Sequence, residues 1–421
     1  MLRRSSLIYV FCFIAVSYAY SQTDPPVLGS WLRNTMGETG YNSLPANVQS
    51  VKYTADTVYI SSTGIPAYNI GPWGKDPNTP SNQHYVFEIP RAPAQNTDTI
   101  TATPLGPTGF WINGVPVFNA LDANSYNNQN VWHSNAVVVE GSSFDACNGH
   151  PAPGGAYHHH ENPICLYTAD SAQHSPLLGY AFDGIPIYGP YGYAHSASGG
   201  VTRLRSSFRL RNITERTTLP NGTALQSSQY GPVVSSMYPL GYYVEDFEYI
   251  PGLGDLDNHN GHITVTPDYP NGIYAYVVTI DSTGASAYPY TIGPTYYGNV
   301  AMENINSHAK VQISDSAVVY SPASGVDEQS SSLPPSLALN GNYPNPFSET
   351  TTISYIVPQS SRVELRVYNT IGEEIATLMD GIQSAGIHIV TFTASNLQNG
   401  IYFCRLAAGT FSQTVKMNVM H

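Results

Sequence analysis

The 421-residue sequence predicts a mainly β protein: a large β-rich body with long ordered loops, followed by a small immunoglobulin-like antiparallel β-sandwich. Three observations carry this. Charged residues make up 11% of the chain, less than half the usual ~25%, so the Glu, Lys and Arg that dress surface helices are scarce. Tyrosine (32), glycine (36) and proline (32) are abundant instead, a composition suited to strands joined by many turns. The last part of the chain repeats period-2 runs bounded by turn residues.

The first element is not part of the fold. Arg3 and Arg4 precede an apolar run from Leu7 to Ala19, and Ala19 and Ser21 offer a cleavage site before Gln22. Residues 1–21 read as a secretory signal peptide. A signal anchor is the alternative, but the run is short for a span. No later apolar run reaches that length, so no transmembrane span is expected. Export implies an oxidising compartment. Cys12 leaves with the signal, and Cys147, Cys165 and Cys404 remain. The formal net charge of −13, from 16 basic and 29 acidic residues, repels phosphate backbones and argues against a nucleic-acid partner.

The body spans 22–320. Strands are expected at Val51–Ser61, Tyr85–Ile89, Val131–Glu140, Tyr274–Ile280 and Lys310–Tyr320, and one helix-compatible stretch falls at Ser206–Glu215. The phrase Gly-aliphatic-Pro-x-aromatic occurs at Gly64–Tyr68, Gly114–Phe118 and Gly184–Tyr188. Glycine permits the turn and proline fixes φ, so each phrase reads as a hairpin tip or edge-strand start. The spacings are uneven and do not describe a solenoid.

A Ser/Pro-rich linker without apolar period occupies 321–336. Beyond it, 337–421 alternates strands and turns at Thr351–Pro358, Arg362–Asn369, Gly386–Ala394, Gly400–Ala408 and Phe411–Met420. The segments NYPNPF (342–347), VYNTIGEEI (367–375), LQNGIYFCRL (397–406) and KMNV (416–419) make this tail resemble the C-terminal sorting domain of the type IX secretion system. The resemblance implies handling by that machinery, delivery to the outer cell surface or the medium, and in many members tail removal with attachment to outer-membrane lipopolysaccharide. Cys404 departs from the pattern and reads as a small buried apolar residue.

The chemistry-bearing residues cluster upstream. Six of 13 histidines (His133, His150, His158, His159, His160 and His174) fall between residues 133 and 174, where an even spread would put about one. With Tyr157–Glu161 extended, His158 and His160 share a face and His159 points away. His150 can fold back across PAPGGAY as a third imidazole, and His174, Glu161 or Asp183 are candidates for a fourth place. Neutral imidazoles suit Zn²⁺ or Cu²⁺. Cys147 and Cys165 either pair or supply a thiolate. The compartment favours the disulfide, and closing that loop stabilises by about 3 kcal/mol. His84 and His133 read as ordinary hydrogen-bonding residues.

NGVPVFNALDA (113–123), DACNGHPAPGGAYHHH (145–160), HSPLLGYAFDGIPIYGPYGY (174–193), GDLDNHNGHITVTPDYPNGIYAYVVT (254–279) and YPYTIGPTYYG (288–298) resemble the YHYH-domain proteins. The motif that names the family falls on Tyr157-His158-His159-His160, so His159 stands where the motif has its second Tyr. The resemblance implies no particular reaction.

A second polar cluster holds Asp255, Asp257, His259 and His262. It fails the EF-hand pattern for calcium, since the glycine comes one place late and the twelfth residue is Thr266. It reads first as an Asx-rich turn. Tyr180, Tyr188, Tyr191 and Tyr193 form a tyrosine-rich run that would stack on sugars if it lined a cleft. No nucleophile elbow, P-loop, H-E-x-x-H or dinucleotide fingerprint appears. The functional expectation is an exported protein that binds Zn or Cu through His150, His158 and His160. A metal-dependent hydrolase or copper oxidoreductase, with Asp183 or Glu161 as base, and a carbohydrate-binding module are the alternatives. The substrate is left open.

Overall fold

The computed structural model describes residues 25–74, 76–98, 100–195, 198–321, 338–343, 347–357, 361–383, 386–409 and 411–421. The signal peptide, most of the linker and part of NYPNPF lie outside them. The chain divides between Ser324 and Gly325 into two compact units. Both are built mainly of antiparallel strands, and among the described residues no helix is long and apolar enough to cross a membrane.

The body opens with β1 (Val48–Tyr53), β2 (Thr57–Ser62) and β3 (Tyr85–Pro90). The single strand expected at Val51–Ser61 is in fact the β1–β2 hairpin. Its polar tip, Thr54 to Asp56, turns the chain, and the Thr54 amide donates to the Thr57 carbonyl. Next come β4 (Pro107–Trp111), β5 (Pro116–Phe118), β6 (Leu121–Ser125), β7 (His133–Asn135), β8 (Gly149–Pro151) and β9 (Tyr157–His159). After them run β10 (Leu177–Ala181), β11 (Pro186–Tyr188), β12 (Tyr191–His195), β13 (Ser198–Arg203), β14 (Phe208–Leu210), β15 (Phe247–Tyr249), β16 (Gly261–Thr264), β17 (Ile273–Val277) and β18 (Val318–Val319).

The central sheet has the order β16-β17-β11-β10-β4-β5-β9-β8. That order is a palindrome of hairpins. The β4–β5 and β10–β11 hairpins meet back to back, with Phe110 opposite Tyr180, Gly109 opposite Ala181 and Trp111 opposite Gly179. Each turns on one of the Gly-aliphatic-Pro phrases. Gly114 (φ 76°) and Gly184 (φ 77°) take the left-handed conformation that glycine allows. An Asx side chain braces each turn, Asn113 Oδ1 on the Val115 amide and Asp183 Oδ1 on the Ile185 amide. Outside them, β9 runs parallel to β5 with His159 beside Val117, and β17 runs parallel to β11 with Tyr276 beside Ile187. The outer hairpins match residue for residue: Gly149 pairs with His159 and His150 with His158, as Gly261 pairs with Tyr276 and His262 with Ala275.

A common clasp precedes each outer hairpin. Asp145 Oδ1 accepts the Cys147 and Gly149 amides, and its carboxylate takes the Tyr157 hydroxyl at 3.0 Å. Asp257 Oδ1 accepts the His259 and Gly261 amides, and its carboxylate takes the Tyr274 hydroxyl at 2.8 Å. Asn148 and Asn260 both have positive φ, 65° and 63°. A Cβ on Gly149 or Gly261 would overlap the clasp tyrosine. The central sheet is thus two copies of one plan, over residues 107–159 and 177–277, related by an approximate two-fold at the β4–β10 seam.

Three further sequence expectations fail in the body. Val131–Glu140 is not one strand: β7 stops at Asn135, and Ala136–Val139 forms a single helical turn. Its β-branched residues suggest a strand, but the Ala136 amide bonds the Ala120 carbonyl and the next amides have no partner strand. Ser206–Glu215 is not helical, because Phe208–Leu210 pairs with Phe247–Tyr249 and the Arg209–Glu248 ion pair crosses that ladder. Of Lys310–Tyr320, only Val318–Val319 is strand. The long stretch between β14 and β15 is ordered around Arg216. Its buried guanidinium donates to Asp246 at 2.7 Å and to the Pro232 and Pro239 carbonyls. Every donor direction is met, as a buried charge requires.

The tail forms two antiparallel sheets: β19 (Ala338–Tyr343), β20 (Thr350–Val357) and β23 (Gly386–Thr393) make one. β21 (Ser361–Tyr368), β22 (Glu374–Gln383), β24 (Gly400–Ala408) and β25 (Phe411–Val419) make the other. Between them lies a core that includes Ile353, Tyr355, Val363, Leu365, Val367, Leu406 and Met417. Cys404 is buried in that core, opposite Val367 and Val415. This is the immunoglobulin-like sandwich read from the sequence.

Candidate metal centre

The β8–β9 hairpin builds the site. Cross-strand pairing sets His150 directly opposite His158, with ring centroids 4.6 Å apart. Two residues on, His160 projects to the same side, and its Nε2 lies 3.0 Å from that of His158. Gly154 and Gly155 adopt positive φ at the tip, which lets the strands return so tightly. The Asp145 clasp fixes one end of the hairpin, and the Cys147–Cys165 disulfide ties the segment into the body.

Hydrogen bonding decides which ring nitrogen faces inward. His158 Nδ1 lies 3.0 Å from the Ala156 carbonyl, and His160 Nδ1 lies 2.6 Å from the Asn119 carbonyl. A carbonyl only accepts, so both Nδ1 atoms carry the hydrogen. Ser143 Oγ donates to the Glu140 carbonyl at 2.6 Å, so towards His150 Nδ1 at 3.0 Å it can only accept. Asp76 Oδ2, 3.4 Å from His150 Nδ1, is a second acceptor on that side. All three rings therefore turn Nε2 towards one point. Two such nitrogens 3.0 Å apart repel unless a cation lies between them. His159 does the opposite: its Nδ1 accepts the Trp111 Nε1 hydrogen at 3.2 Å, on the far side of the strand.

The fourth donor is Glu140, which sequence reasoning missed. It follows the single helical turn, and its Oε2 stands 3.0 Å from His150 Nε2 and 3.3 Å from His160 Nε2. Glu140 Oε2 and His150 Nε2 are buried yet make no aligned hydrogen bond. One donor atom from each of Glu140, His150, His158 and His160 lies within 4.8 Å of the others. Tetrahedral ligands at ~2.0–2.1 Å would be separated by about 3.3 Å, so the 3.0 and 3.3 Å pairs are near that spacing. Only the acidic residue ending NAVVVE offered a signal, and a strand reading of that segment hid it.

Electrostatics suit a cation. Burial, with the neighbouring His160 and His150, holds the His158 imidazole well below its ordinary pKa, so the ring is neutral at neutral pH. Burial pushes the Glu140 carboxyl up, but the adjacent His150 and His160 rings outweigh it and keep the group well below the usual carboxylate range. Burial, then a hydrogen bond with Glu140, raises the Asp122 carboxyl. Phe118 stacks on His158 with centroids 3.9 Å apart, and Phe144 lies parallel to His160. A cleft of about 470 Å³ opens above the four donors.

The other candidates lie elsewhere. His174 is outside the donor group: its Nδ1 donates to the Ser175 carbonyl at 2.7 Å, and its ring packs between Tyr188 and Tyr193. Asp183 is fully buried and accepts Tyr276 Oη at 2.6 Å and the Gly298 amide, so it serves the turn and faces no cleft. Glu161 follows His160 but bonds Ser286, and burial raises its carboxyl. Asp255 pairs with Arg205, Asp257 is the clasp carboxylate, and His259 bonds Thr295. His262 is half-buried, and burial lowers its pKa. With every carboxylate engaged by protein groups, this segment is an Asx turn. Tyr180 and Tyr188 are buried packing residues, which removes half of the supposed sugar-stacking wall. His133, read as unremarkable, bonds Glu245 at 2.6 Å.

Residues 86–288 match the family described as YHYH protein, and residues 342–420 match the secretion system C-terminal sorting domain. No curated protein matches. Among solved structures, one match is PorZ, an essential bacterial surface component of the type-IX secretion system of Porphyromonas gingivalis. It is 10% identical with a TM-score of 0.16, and the match covers 88% of this chain and 59% of that one. A likeness that slight carries no argument about this chain.

Proposed function

From the premise that this chain is a YHYH-domain protein, delivered to the cell surface or the medium by its sorting domain, we propose that its body binds one transition-metal ion, Zn²⁺ or Cu²⁺. Glu140, His150, His158 and His160 are the ligands of this reading. The observation that carries it is the convergence of three Nε2 atoms and one carboxylate oxygen, two of them buried without a hydrogen-bond partner. Three imidazoles and a carboxylate match the preferences of Zn²⁺ and Cu²⁺. The Nδ1 acceptors Ala156, Asn119 and Ser143 would orient the rings as outer partners of metal-bound histidines do.

The test is elemental analysis of protein purified without a polyhistidine tag. About one Zn or Cu per chain is expected, falling to background in His158→Ala/His160→Ala. A chain without metal after exposure to both ions rejects the reading.

The cleft favours a second, catalytic reading, a metal-dependent hydrolase or a copper oxidoreductase. In it, Glu140 is displaced from the ion or acts as general base, the role assigned from sequence to Asp183 or Glu161.

A further inference from the structure

The candidate centre stands at the foot of a cleft of about 470 Å³, and the two-fold plan of the body provides an internal control for that space. In the C-terminal copy, the strand position equivalent to His160 is Val277. It is buried with Leu204 and Leu256 in a small apolar cluster. That position is thus filled by an apolar side chain in the second copy, whereas in the first it carries a donor that borders the cleft. An open apolar cleft above four converging donors is a place for a ligand.

The walls describe that ligand. Leu105, Phe118 and Leu121 give the cleft an apolar side. Asp76 and Asp122 border it, and with Glu140 they offset the charge of a divalent ion, so an anion finds little net attraction. Glu140 is the donor from outside the hairpin, and its side chain is 24% exposed, against 8% for His150 and 3% for His160. The ion's accessible face is thus on the cleft side, and zinc sites expand to five ligands when a fifth arrives.

Resting on the metal-binding reading, we propose that the cleft admits an uncharged small molecule that coordinates the metal through one heteroatom and lays an apolar body against Leu105, Phe118 and Leu121. Anionic ligands of the same size are disfavoured.

The experiment uses full-length protein loaded with Co²⁺, whose visible spectrum reports a change of ligands. Cobalt stoichiometry is measured first. The spectrum is then titrated with imidazole, 4-phenylimidazole and imidazole-4-carboxylate. Half-saturation by 4-phenylimidazole is expected at a concentration about tenfold or more below that for imidazole, from the buried phenyl surface, with the carboxylate weakest. Leu105→Asp, at a residue 54% exposed and outside the donor set, should erase the phenyl advantage and leave cobalt stoichiometry unchanged. Cobalt uptake with no spectral response, with equal responses to the three probes, or with the phenyl advantage intact in Leu105→Asp overturns the cleft proposal and leaves the metal reading standing. Failure to take up cobalt overturns both.

Discussion

His159 separates motif from mechanism at the scale of a residue. It sits between two candidate ligands, yet the alternation of a strand turns it to the opposite face, where Trp111 donates to it. It also stands where the family motif has tyrosine, and the equivalent residue of the second copy is Tyr276. His159→Tyr should therefore keep about one metal ion per chain under conditions where His158→Ala/His160→Ala keeps none. Elemental analysis decides it, and loss of metal from a variant with unchanged circular dichroism would count against the assigned faces. The same alternation made His158 and His160 legible from sequence. Glu140 was not legible, because it comes from another segment and a β-branched run before it imitates a strand.

Among elements, the duplicated hairpins distinguish frame from function. Asp145–Tyr157 and Asp257–Tyr274 make the same clasp with the same geometry, but only the first is joined to a donor set. Removing either hydroxyl leaves a carboxylate, buried at Asp145 and half-buried at Asp257, short of a donor, at a cost of about 1–3 kcal/mol. Tyr157→Phe and Tyr274→Phe should thus lower stability to a similar degree in denaturant titrations. Tyr157→Phe alone should weaken metal affinity, since its clasp aligns His150 with His158. Equal affinities in the two variants would remove the clasp from the account of the site. The sequence displayed parts of this repeat as recurring Gly-aliphatic-Pro phrases. Uneven loops hid the rest, because strand pairing, not spacing along the chain, brings the copies into register.

At the scale of the whole molecule, the main core of the body and the core of the tail are made of different residues among those described. One includes Trp31, Phe87, Phe110, Trp111, Tyr180 and Tyr276 of the body, and the other is confined to the tail. Each buries its own apolar residues, as independently folding domains do. A chain ending at Ser321 should unfold cooperatively and take up the same metal equivalent as the full chain, read by calorimetry and elemental analysis. Loss of cooperative unfolding would show that the body needs the tail.

The sequence by itself determined the β class, the tail and its sorting role and the shared face of His158 and His160, and it favoured the Cys147–Cys165 pairing over a thiolate ligand. The sorting role rests on the tail's resemblance to a known family; the others rest on local chemistry: composition, period-2 alternation, compartment and short spacings. Only the tertiary structure decided that Glu140 completes the donor set, that Asp76 and Asp122 surround it, and that a cleft stands above it. It also removed His174 and Asp183 from the site. Those outcomes depend on which distant segments pack together, and no local pattern encodes the packing of residue 140 against residue 150 or of residue 183 against residue 276.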